Sequence, residues 1–152
     1  MKGVRCQCVK ARLKPQRKEN AQQGSEFGVA LNWSIDAQAR IVSVTAKGDV
    51  TRAEFDAFLD EVVAEDALAY GKLFDGSAGA TSMSRMELLA IGVRLRSYHN
   101  RPVGPLAIVL PPDKFVLVAR ILGILATAKR PMRLLKTRAA AHRWLFEQYT
   151  PQ

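Results

Sequence analysis

The side chains through which this chain could do chemistry are few. His99 and His142 are the two groups that could exchange protons near neutral pH. His99 lies in SYHN, at the polar end of a helical pattern where histidine commonly meets the last carbonyls, and His142 sits beside Arg143 on the final helical pattern. Neither belongs to a motif. Cys6 and Cys8 form a Cys-x-Cys pair, but a metal site needs further Cys or His ligands nearby and the sequence supplies none there. The glycines of FDGSAGA lack the lysine that a phosphate-cradling loop requires, and no serine stands in a nucleophile elbow. The chain therefore reads as non-enzymatic, with no catalytic residue, no metal ligand set and no cofactor site.

Asp75 carries a different kind of signal. It closes the short strand pattern YGKLFDG and precedes the loop pattern GSAGATS. In open α/β sheets the carboxyl ends of strands are where ligands bind. The competing reading is that Asp75 accepts backbone N–H bonds and shapes that loop. Ser77, Ser82 and Ser84 follow it, and Ser84 with Glu87 three residues on has the spacing of a capping box.

The elements that must position these groups follow from periodicity. ALNWSID and RIVSVTAKG are expected to form a hairpin about the turn Asp36 to Ala39, with Val42, Val44 and Ala46 on its drier face. Thr51 and Glu54 make a capping box, with Val50 and Phe55 as its hydrophobic staple. They open a helix that buries Phe55, Phe58, Leu59, Val62 and Val63. Its acidic residues Asp56, Asp60, Glu61 and Glu65 read as solvated surface or as a face for a basic partner. After the strand ending at Asp75, SRMELLAIGVRLRSYHN gives a second helix with Leu88, Ile91, Leu95 and Tyr98 on one stripe. LAIVL is apolar throughout, as a strand covered on both faces must be. A third helix over FVLVARILGILATAK, a strand in KRPMRLLKT and a Thr137-capped helix complete the order β-β-α-β-α-β-α-β-α. This is α/β architecture: a mostly parallel sheet, one antiparallel edge hairpin and four helices.

With 152 residues, 48% of them hydrophobic, the chain suits one domain with a core of its own. The net charge of +9 divides unevenly. Residues 1–28 carry seven basic and two acidic side chains, about +5, which leaves about +4 for residues 29–152. The first 28 residues read as a basic, disordered tail with no apolar core for secretion, and a reducing cytoplasm is the expected compartment. No nucleic-acid motif or aromatic stacking platform accompanies the basic residues, and no stretch is long enough to span a bilayer.

KLFDGSAGATSMSRMELLAIG, GPLAIVL and the closing TRAAAHRWL, with Ala141, Trp144 and Leu145, resemble the STAS fold, and within it the SpoIIAA-like group that is also compared with CRAL-TRIO lipid carriers. The resemblance covers about residues 29 to 149. It implies two uses. Anti-sigma-factor antagonists of this fold are switched by phosphorylation of a serine at the start of the second long helix, in an Asp-Ser-Ser-Gly-like turn. The corresponding residues, Ser82-Met83-Ser84-Arg85-Met86-Glu87, lack the Asp-Ser pair and the following glycine. A regulatory switch in the Ser77 to Ser84 loop, with Asp75, is one expectation.

The carrier-like relatives imply the other, a third helix that can move off the sheet to uncover an apolar cavity. Here Phe115, Val118, Leu122 and Leu125 form one stripe, widened by Leu117, Ile121 and Ile124 to roughly half the helix circumference. That exceeds the arc of about 100° needed for packing on a sheet. Neighbouring elements, a homodimer interface, a protein partner or an apolar ligand such as a lipid would each account for it. The face of Phe115, Leu117, Val118, Ile121, Leu122 and Leu125 is thus the expected binding surface.

Overall fold

The computed structural model describes residues 28–115 and 130–149. The basic tail with Cys6 and Cys8, and the third helix beyond Phe115, lie outside the described residues. Five strands form one sheet: β1 (Leu31–Asp36), β2 (Ile41–Asp49), β3 (Gly71–Ala80), β4 (Leu106–Val109) and β5 (Met132–Leu135), in spatial order β1-β2-β3-β4-β5. β1 runs antiparallel to β2, and the other three pairings are parallel. Helices α1 (Arg52–Ala64), α2 (Arg85–Arg96) and α3 (Arg138–Tyr149) are the α-helices among the described residues.

The crossovers from β2 to β3 and from β3 to β4 step the same way along the sheet. Right-handed connection then puts α1 and α2 on one face. Alternation along the strands divides the core accordingly. Leu31, Val42, Val44 and Ala46 pack with Phe58, Leu59 and Val62 of α1, and Phe74, Leu95 and Tyr98 close over this cluster. Leu73, next to Phe74, points the other way and packs with Ala107, Val109, Ala141, Trp144 and Leu145, so that α3 covers the opposite face. β4 has both faces covered, which explains why LAIVL shows no polar alternation.

Both expected capping boxes are present, Thr51 with Glu54 and Ser84 with Glu87. The acidic side of α1 is not plain solvated surface. Arg94 of α2 donates to Asp56 Oδ1 at 2.9 Å and also engages Asp60 Oδ1 and Tyr98 Oη, while Trp33 Nε1 donates to Glu61 Oε2 at 2.9 Å. These carboxylates hold α1 to α2 and to β1.

The third strand departs from expectation. It does not end at Asp75 but runs on to Ala80, through the segment GSAGA that reads as loop. Its register against β2 passes from Thr45↔Asp75 to Lys47↔Ala78, one extra residue on the β3 side, which is a bulge. The small residues serve close approach. A Cβ on Gly79 would stand 2.7 Å from Ala46 Cβ, and one on Gly76 would stand 2.7 Å from Leu110 Cδ2.

Lys72, buried at 7% exposure, is the other departure. Its Nζ donates to the carbonyls of Leu68 at 2.6 Å, Tyr70 at 2.9 Å and Ala67 at 3.4 Å, tying the α1–β3 connection to the sheet. Burial, and then the charge of Arg130, pull its pKa down to about 7.

Leu145→Ala should lower unfolding free energy by about 2–5 kcal/mol, read as a lower denaturant midpoint at unchanged slope. The folded chain releases the Lys72 proton near pH 7, whereas the unfolded chain holds it to about 10.5. The unfolded state therefore binds more protons between these values, and stability should rise with pH across that window. In Lys72→Met this component of the rise should vanish, as paired urea titrations at pH 7 and 10 would show.

Candidate functional site

The parallel pairing of β2 and β3 ends where both α1 and α2 begin. Beyond the last register pair, Asp49↔Ala80, side chains extend the ladder. Thr81 Oγ1 donates to the Val50 carbonyl at 2.8 Å, and both Ser82 N and Ser82 Oγ donate to the Asp49 carboxylate at 2.6 Å. Thr51 and Ser84, the two helix caps, follow at once. Glu54 also accepts from Ala30 N at 2.6 Å. Burial opposes its charge, but hydrogen bonds from Thr51 and Ala30 outweigh that and hold its carboxyl below the usual range. Bonds from the Ser84 backbone and hydroxyl lower Glu87 in the same way.

The expected regulatory residues thus all have partners. Asp75 Oδ1 accepts from Ser77 N at 3.1 Å and from Ser77 Oγ at 2.7 Å, across the bulge. Its Oδ2 lies 3.7 Å from Arg138 Nη1, which also reaches Thr45 Oγ1 at 3.4 Å. Ser82 Oγ is held by Asp49, and Ser84 Oγ donates to Glu87 Oε2 at 2.9 Å while accepting from Glu87 N. Asp75 and Ser77 sit at the bulge, and Ser82 and Ser84 beyond the end of β3. The structure joins Asp75 with Ser77 and gives Ser82 and Ser84 separate partners. A phosphoryl group on Ser82 would set close to two negative charges against Asp49 and open the β2–β3 closure.

The histidines do not come together. His99, past the end of α2, has Nδ1 2.8 Å from the Arg96 carbonyl, and His142 is on α3, across the sheet. No group of three or more metal-ligating side chains occurs among the described residues. Of the expected apolar face, Phe115 is described: it is half-buried and follows the short 3₁₀ turn Pro112–Lys114, which Lys114 Nζ anchors to the Gly79 carbonyl at 2.7 Å. Leu117, Val118, Ile121, Leu122 and Leu125 lie outside the described residues.

α2 presents a surface the sequence reading missed. Ile91 is buried and Leu95 packs against the core as expected, with Leu88 half-buried. Met86, Leu89 and Val93 are exposed by 73%, 48% and 61%. At about 100° per residue these three fall within roughly 60° of one another, on the pole opposite Ile91. The helix is apolar on two sides. The signal was legible at i, i+3, i+7, but one sequence stripe satisfies the packing rule and a second is easily passed over. Arg85 and Arg96 line one edge of this outer stripe, and Ala90 and Ser97 the other.

Asp75→Ala should cost about 1–2 kcal/mol through the lost bulge hydrogen bonds, with little from the half-exposed Arg138 pair. A thermal melt checks it. Unchanged stability together with loss of a binding partner would instead mark Asp75 as a contact residue.

No family model and no curated protein matches the chain. Among solved structures it is similar to an uncharacterised DUF3478-family protein from Shewanella loihica PV-4, described as having a SpoIIAA-like fold. The two share 14% identity with a TM-score of 0.55, over 80% of this chain and 98% of that one. Likeness at that identity speaks to architecture and leaves activity to the site. The five-stranded, mostly parallel sheet with one antiparallel pair matches that architecture broadly: this chain has a SpoIIAA-like, STAS-type fold.

Proposed function

We propose that the chain is a non-enzymatic STAS-type regulatory domain that acts by binding another protein, with the outer face of α2 as its docking surface. The observation that carries this reading is the exposed stripe of Met86, Leu89 and Val93. Apolar side chains lined up on a rigid helix gain roughly 1.5–3 kcal/mol each when fully buried, and i, i+3, i+7 is the spacing through which helices are recognised. A binding role without chemistry is supported by the site geometry. Asp49, Glu54, Asp75 and Glu87 are engaged in capping, strand closure or the bulge, and the two histidines stand far apart in the fold.

A switch of the anti-sigma-antagonist type is the second reading, favoured by one observation. The Asp49–Ser82 closure immediately precedes the α2 cap, so a modification that opened it would disturb the start of the docking helix.

A photo-crosslinking residue at position 89 of the full chain, introduced in its native cell, should capture one protein specifically. Val93→Glu should remove that crosslink by at least about tenfold while shifting stability by no more than about 0.5 kcal/mol. A native mass spectrum that shows only lipid adducts, with no crosslinked protein, would replace this reading with that of an apolar-ligand carrier. A crosslink solely to a second copy would make the face a homodimer interface.

A further inference from the structure

We propose that the amino ends of β3 and β5 form a binding site for a doubly charged tetrahedral oxyanion, the phosphoryl group of a small soluble molecule, with Arg130 as its hydrogen-bonding ligand and Lys72 as the second positive charge. The site is independent of the docking role of α2. Lys72 is the one buried charged side chain among the described residues. Its three ammonium hydrogens go to the carbonyls of Ala67, Leu68 and Tyr70, which hold it in place but carry no negative charge to offset its own. Arg130, in the bend that leads into β5, is half-buried, and among the described residues its guanidinium has no hydrogen-bond or ion-pair partner. Register brings the two together. Lys72 pairs with Leu106 and Leu106 with Met132, so the three strand starts lie side by side, and Arg130 stands two residues before Met132, the step that returns a side chain to the same face. Lys72 N donates to the Pro105 carbonyl at 2.8 Å and Leu106 N to the Pro131 carbonyl at 2.9 Å, which fixes these starts to one another. After burial, the charge of Arg130 is the influence that acts on the Lys72 ammonium.

The other charged and titratable groups at this end do not supply the counter-charge. From the β1–β2 turn, Arg40 lies over the Tyr70 ring at 5.0 Å. From the α2–β4 connection, Arg101 lies 3.9 Å from Asp66, which is 97% exposed, and Tyr98 Oη meets Arg94. Glu65 and Asp66, the carboxylates just before the carbonyls that hold Lys72, are both exposed. Two like charges drawn out of water repel each other and lose hydration, and an anion beside them relieves both penalties. The guanidinium offers a flat fork of N–H donors that matches phosphate oxygens, while Lys72, its hydrogens already placed, contributes charge. Two positive charges favour an ion with two negative ones, which selects a phosphoryl group over a carboxylate. Such an ion also favours the charged form of Lys72. The pKa near 7 then rises, so that above pH 7 the anion is taken up together with a proton and affinity falls as pH increases.

The test is isothermal titration calorimetry of the full chain at fixed ionic strength with sulfate, a tetrahedral dianion whose own charge is constant near neutral pH. Sulfate should bind, and at pH 7.5 its heat should vary with the ionisation enthalpy of the buffer, corresponding to more than about half a proton taken up per ion. Phosphate should compete with it, and acetate should compete far less. Arg130→Gln should weaken binding at least about tenfold while leaving the melting temperature equal or higher, because it removes a half-buried charge with no partner; Arg130→Lys, which keeps the charge without the fork, should fall between. Lys72→Met should remove the proton uptake. The basic residues before position 28 are the same in every variant, so sulfate binding that survives Arg130→Gln unchanged would place the ion elsewhere and overturn the site. No binding at about 10 mM sulfate would overturn it as well. Proton uptake that persists in Lys72→Met would break the pairing of Lys72 with Arg130. Arg130-dependent binding to vesicles containing phosphatidic acid, with no binding of free sulfate or phosphate, would replace the soluble ligand with a lipid headgroup.

Discussion

The parallel pairing of β2 with β3 is the constraint on which the rest of the structure depends. It is the longest ladder in the sheet, and the two strands deliver the chain to α1 and α2 at neighbouring points. A helix start fixed at one residue fixes the azimuth of every later residue, because each step turns it by about 100°. The capping boxes at Thr51 and Ser84 therefore set which side chains α1 and α2 turn inward. Asp49 and Ser82 join the two starts, so the orientation of one helix is not independent of the other.

From that end the charged groups extend the same logic. Arg94 draws Asp56 and Asp60 of α1 toward α2, and Glu61 reaches β1 through Trp33. Acid on α1 is engaged internally, while the outer side of α2 exposes apolar side chains. A helix already clamped on three sides, by the sheet, by α1 and by its cap, can expose a second apolar face without fraying. That makes such a face rigid, and rigidity lowers the entropic cost of binding.

Much of the architecture was legible because it follows from local rules. Both capping boxes, the hairpin of LNWSID with IVSVTAKGD, the two-sided strand at LAIVL and the Thr137-capped final helix each rest on residues within a few positions of one another. The far end of β3 was not legible. Gly76 and Gly79 read as loop because glycine tolerates any backbone angle, yet here they let Leu110 and Ala46 approach closely. Lys72 could not be read as buried either. Three carbonyls of the α1–β3 connection receive it, and their convergence depends on how that connection folds back.

By itself the sequence determined the α/β class, the order of the described strands and helices, and where α1 and α2 start. All of these depend on period and on contacts between near neighbours. Tertiary structure decided which distant partners the polar groups outside the helix caps meet. Asp49, 33 residues away in sequence, holds Ser82, and Asp75 meets Ser77 across the bulge with Arg138 beside it. Met86, Leu89 and Val93 acquired meaning only when the sheet had claimed the opposite side of α2 and left theirs exposed. Which of two apolar stripes is buried depends on what the rest of the chain brings alongside, and that information is spread over the whole fold.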